Sequence, residues 1–179
     1  MSDPQLTTPR RLLAAGCALG AAASVALPWF PLSCALYALA AAAFGAGAFL
    51  ARTAHENFGI VWKAAIPAAL IELMGALLTQ YDLTLLTTLM TAIFFYFLVT
   101  YTVSALASVF HVKPGPDPRR PPRAAMQFEV AASLFALARL LSDMWPTLRT
   151  FTDTVAMAAM AIGFALVLQF VLKLKQPEE

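Results

Sequence analysis

The sequence predicts an all-α integral membrane bundle of six transmembrane helices with both termini cytoplasmic. Three observations carry that expectation. Of 179 residues, 60% are hydrophobic and only 12% charged, and the mean hydropathy is +0.73, which lies outside the balance of a soluble domain. Apolar residues gather into six runs, each close to the ~20 residues needed to cross a ~30 Å hydrocarbon core at ~1.5 Å per residue. Lys and Arg cluster in alternate connections between those runs, as the positive-inside rule requires.

The first run covers residues 12–30, behind Arg10 and Arg11, and the second covers 32–50, with Pro28 and Pro31 making the turn of a helical hairpin. A third run, 58–78, is joined by the short polar link 79–82 to a fourth, 83–110, which is long enough to tilt or to extend a turn beyond the bilayer. The loop 111–123 holds five prolines together with Lys113, Arg119, Arg120 and Arg123, and is expected to lie extended against anionic headgroups. The fifth and sixth runs are 124–141 and 151–174. No strands are expected, and residues 1–179 read as one membrane domain.

The basic residues 10, 11, 52, 113, 119, 120, 123, 173 and 175 all fall on one side of this scheme, with Arg149 the exception. Trp29, Tyr81 and Trp145 then fall at the outer interface and Trp62 near the inner one, so the aromatic belt agrees with the charges. Arg10-Arg11, the Ala-rich stretch and Ser24-Val25-Ala26 also match a secretory signal with a small-residue cleavage pattern. We read this stretch as an uncleaved first helix. The location expected is a bacterial-type inner or plasma membrane.

Several function classes drop out. A net charge of +2 spread along the membrane surfaces provides no basic face for nucleic acid. Cys17 and Cys34 lie at different depths, too far apart for a disulfide, and read as small apolar packers. His55 and His111 sit beside connections, so neither a buried bis-imidazole haem nor a metal site is expected, and no cofactor is called for. No Ser-His-Asp order, CxxC or glycine-rich phosphate loop is present.

Small residues predict close helix contacts: Gly16 and Gly20 in the first run, Ala38, Ala42 and Ala46 in the second, Ala159 and Gly163 in the sixth. One such stripe mediating dimerisation is the alternative. Thr84, Thr87, Thr88 and Thr91 share an arc of about 100° on the fourth helix. They form either a polar groove or a set of hydroxyls bonded back to their own helix.

The informative residues are the charges within the runs: Lys63 and Glu72 in the third, Glu129 and Arg139 in the fifth, with Asp143 and Asp153 nearer the outer ends. Each costs ~2.5–3.5 kcal/mol on insertion scales unless it faces the interior with a partner. Depth alone pairs Lys63 with Glu129 and Glu72 with Arg139, and makes the third and fifth helices neighbours. The nine residues from Lys63 to Glu72 turn the helix by about 180°, so both pairs form only if Lys63 snorkels or Pro67 kinks the helix. Asp143, four residues beyond Arg139, is a local competitor, and a Glu72 left alone is expected to keep its proton.

These residues support a protein that acts by binding, as a subunit of a larger membrane complex or a small solute-binding transport component. The alternative is a stand-alone transporter or channel built on Glu72 and Arg139, and the third reading is a membrane-embedded lipid-processing enzyme. The partners expected are membrane lipids and either a second protein or further copies of this chain. In length and helix number the chain resembles the small substrate-binding subunits of vitamin transporters, without a shared motif.

Overall fold

Each apolar run becomes one helix. The computed structural model describes residues 4–78, 83–112 and 121–174, as α1 (Pro4–Val25), α2 (Phe30–Ala51), α3 (Glu56–Leu77), α4 (Thr84–Val109), α5 (Arg123–Met144) and α6 (Arg149–Lys173). A 3-10 turn, Pro146–Leu148, leads into α6, and among the described residues there is no strand. Helices α2 to α6 are long and apolar enough to cross a membrane. The uncharged part of α1, residues 12–25, reaches only ~21 Å at 1.5 Å per residue.

The first helix departs most from the expected bounds. It starts eight residues earlier, at Pro4, with Pro9 inside it, and stops at Val25 rather than near residue 30. The turn occupies residues 26–29, and Pro31 sits in the first turn of α2, where its missing N–H costs nothing. Tyr81, Lys113, Arg119, Arg120 and Lys175 lie outside the described residues, as do the link 79–82 and most of the loop 111–123.

Consecutive helices pack against each other, and α1 closes the ring on α6. We call the end where α1 begins and α6 finishes proximal, and the opposite end distal. Helix α4 also touches α2 and α6 across the middle, and it stands between α3 and α5, which do not meet. Five buried aromatics fill the centre. Tyr37 and Phe95 have ring centroids 5.2 Å apart, Phe95 and Phe164 5.4 Å, and Phe128 and Phe164 5.0 Å, with Phe44 edge-on to Phe95 at 6.3 Å. Such tilted pairs add to the area they bury.

Small residues set how closely the ring draws together. A Cβ on Gly16 would sit 2.9 Å from the Phe44 ring, and one on Gly20 2.5 Å from Phe164, so α1 lies tight against both α2 and α6. Gly163 likewise sets α6 on Ala131 of α5. The outside is apolar along its length, with Leu39, Ile66, Leu70, Ile93, Val130 and Ile162 exposed. That surface would aggregate in water and is at rest in hydrocarbon.

The two ends carry interfacial residues. Trp29 and Trp145 are exposed at the distal end; Trp62 lies near the proximal end, edge-on to Phe49 at 5.6 Å, with the Arg52 guanidinium 3.9 Å above the Phe49 ring. His55 starts α3 by accepting a hydrogen bond from Asn57 N at Nδ1, 3.1 Å. Helix α4 closes with His111 at φ 48°, His111 N donating to Ser108 O and Val112 N to Ala107 O. This left-handed residue with paired backward bonds satisfies the last carbonyls.

Candidate functional site

Glu72 is the most deeply buried charge-bearing residue of the bundle, 1% exposed, in the distal third of α3. Its partner comes from α4: Thr91 Oγ1 is hydrogen-bonded to Glu72 Oε1 and also donates to Thr87 O at 2.8 Å. One hydroxyl carries one proton, so Thr91 divides it between the carboxyl and the carbonyl of its own helix. Gly75, one turn on, lets α2 and α4 close around this point: a Cβ there would lie 2.7 Å from Thr87 Cγ2 and 3.1 Å from Cys34 Sγ. Glu72 Oε2 is buried with no hydrogen-bond partner.

Arg139 lies on the far side of α4, also in the distal third. Its Nη1 donates to Asp153 Oδ1 at 2.6 Å, and Ser142 Oγ donates to the same oxygen at 2.8 Å. Asp153 Oδ2 is 3.8 Å from Arg149 Nε, one turn back on α6. The Arg139 and Asp153 side chains are 11% and 29% exposed, so this charge-assisted contact ties α5 to α6 in a largely dehydrated place. Arg139 Nε has no partner.

Neither expected ion pair forms. Glu72 does not face Arg139 and Lys63 does not face Glu129, because α4 separates α3 from α5. Lys63, Glu129 and Asp143 are all exposed, and Arg139 passes over Asp143 for Asp153. The threonine arc resolves into backbone bonds: Thr88 donates to Thr84 O at 2.7 Å and Thr91 to Thr87 O, with Thr87, Thr88 and Thr91 buried and Thr84 half-buried. Only Thr91 also reaches a second helix. The alanine stripe divides as well. Ala38 is buried, while Ala42 and Ala46 face outward, and α2 instead packs Ala40, Ala41, Phe44 and Gly47. Ala159 is half-buried beside Gly163.

Three contacts had no counterpart in the expectations. Ser24 Oγ donates to Gly20 O at 2.7 Å and meets Tyr37 OH at 2.8 Å, so two residues of the cleavage-like pattern, Ser24 and Ala26, are buried while Val25 faces outward. Ser33 Oγ donates to Ala23 O at 2.8 Å. Arg10 donates from Nε to Val171 O at 2.9 Å and from Nη2 to Leu172 O at 2.7 Å, capping the free carbonyls where α6 ends. The signal for the last was present: a cation one turn inside the same end at which α6 runs out.

Two clefts open on the surface. One, of about 380 Å³, lies at the proximal end among Leu6, Arg10, Arg11, Ala14, Phe110 and Leu172. The other, of about 480 Å³, runs between α5 and α6 from Arg123 toward mid-bundle. Neither is lined by Glu72 or Arg139. Among the described residues no group of three or more His, Cys, Asp or Glu side chains is placed to hold a metal ion, and Cys17 and Cys34 are buried free thiols. No protein-family model, curated protein or solved structure matches this chain.

Proposed function

We propose that this protein crosses the membrane six times with both termini cytoplasmic, and that it works by binding, as a subunit of a larger membrane complex or a small solute-binding transport component. One observation carries the reading: where the buried side chains on three helix pairs find polar partners, they find them in one another, although Glu72 Oε2, Arg139 Nε and the hydroxyls of Thr100 and Thr102 have none. Glu72 is met by Thr91, Asp153 by Arg139 and Ser142, and Tyr37 by Ser24, while aromatic rings fill the centre. A permeation path needs polar groups aimed at a cavity, whereas these groups are aimed at each other across helix contacts. A bacterial-type inner or plasma membrane is the location proposed.

Reconstitution tests this. The protein alone in liposomes is expected to pass no proton or monovalent-ion current, and gentle solubilisation of the native membrane is expected to bring down a second membrane protein in fixed ratio. A current from the protein alone, lost in Glu72→Gln, would overturn the reading in favour of a transporter. That second reading has its own support in the unpartnered Glu72 Oε2 and Arg139 Nε.

A further inference from the structure

We propose that the cleft between α5 and α6 is a site for one anionic phospholipid of the proximal leaflet, its phosphate held by Arg123 and one acyl chain lying along the groove. This site does not depend on the functional reading above. The groove exists because Gly163 presses onto Ala131, where a Cβ would come within 2.7 Å, leaving a floor without bulky side chains. Val130 and Ile162, 60% and 58% exposed, stand as its two walls. From Arg123 to Leu134 it extends ~16 Å at 1.5 Å per residue, about half of a ~30 Å hydrocarbon core, which is the reach of one acyl chain.

Charge selects the occupant. Arg123 is exposed at the interfacial mouth and has no ion-pair partner among the described residues, and the half-buried Gln127 lies one turn deeper. The nearest acid on α5, Glu129, stands about 130° around the helix from the groove. Arg119 and Arg120 precede Arg123 in the sequence and add to the positive charge of this connection. A zwitterionic headgroup brings its own cation to the phosphate, while an anionic one leaves its charge for the guanidinium. A partner helix would need no arginine at one end of an otherwise apolar slot.

The test is lipid titration of the full-length, detergent-solubilised protein followed by native mass spectrometry. The wild type is expected to retain one phosphatidylglycerol several-fold more tightly than phosphatidylcholine. Arg123→Gln should cut that preference about five-fold while leaving phosphatidylcholine binding unchanged. Ala159→Leu, which adds bulk in the groove, should weaken both lipids. Lys63→Gln removes an exposed proximal cation away from the groove and should leave the preference intact. Equal losses in Arg123→Gln and Lys63→Gln would mean diffuse attraction and overturn the site. So would a wild-type dimer that Ala159→Leu dissociates, because the groove would then belong to a second copy.

Discussion

Glu72 shows what one carboxyl does when no cation is within reach. Its neighbours are a threonine already committed to a backbone carbonyl and a cysteine thiol packed across Gly75. An ionised carboxylate in that place would lack a counter-charge, a cost of several kcal/mol. Glu72→Gln preserves shape and should change stability by less than about 1 kcal/mol. Glu72→Lys places a longer, charged group in the same gap and should cost at least about 3 kcal/mol. Unfolding by denaturing detergent, followed by circular dichroism, reads both. A Gln variant as damaged as the Lys variant would show that the negative charge itself is needed. Sequence alone marked Glu72 as the residue to explain but pointed to the wrong partner. Depth and helix phase do not name a partner, because a carboxyl is free to choose any neighbour at its own level, including an uncharged hydroxyl.

At the scale of helices, the rule that decides partners is the hairpin. Two antiparallel helices joined by a short connection bring together residues equidistant from the turn, and consecutive elements are usually neighbours. Glu72 and Thr91 are nearly so placed about the link 79–82, and Arg139 and Asp153 about the turn into α6, whereas Tyr37 lies farther from the turn 26–29 than Ser24 and meets it with a long side chain. The helices, their order and the polar residues to watch were legible in the sequence, and the hairpin register was legible too. What was not legible is that α4 would stand between α3 and α5 in the ring and reach across it to α2 and α6, since nothing in its pattern names its neighbours. Removing Asp153 as Asn should strand Arg139 and cost about 2–4 kcal/mol, less than a fully buried pair because Asp153 is part-exposed. The exchange Arg139→Asp with Asp153→Arg should recover part of that loss, and a double-mutant cycle that shows no coupling would deny the contact its role in joining α5 to α6. Glycine contacts offer a sharper contrast. Gly20→Ala meets Phe164 at 2.5 Å and should cost about 1–3 kcal/mol, while Gly59→Ala, with nothing within 4 Å, should gain up to about 1 kcal/mol from helix propensity. Equal effects at the two positions would mean that α1 does not bear on α6.

For the whole molecule, packing alone leaves the orientation open, and the proposed one rests on charge and aromatic residues. A closed bundle with an apolar exterior is equally content either way up in hydrocarbon. What breaks the tie is the proximal gathering of Arg10, Arg11, Arg52, Lys63, Arg123 and Lys173 against a distal end where, among the described residues, the cations are Arg149 and the Asp153-bound Arg139, and where Trp29 and Trp145 are exposed. Arg10 is drawn into the fold by the α6 carbonyls, so one of these charges serves orientation and packing together. The orientation is checked without altering the background, because Cys17 and Cys34 are buried and should stay silent to a water-soluble maleimide while the protein is folded. Single cysteines at Arg11, Arg52 and Lys173 should label only when reagent reaches the cytoplasmic face, and those at Trp29 and Trp145 only from outside. Labelling of Arg11→Cys and Lys173→Cys from opposite faces would contradict a ring in which α1 closes antiparallel on α6. Labelling of all three proximal positions from outside would instead keep the ring and invert it, which would place the Arg123 groove in the outer leaflet.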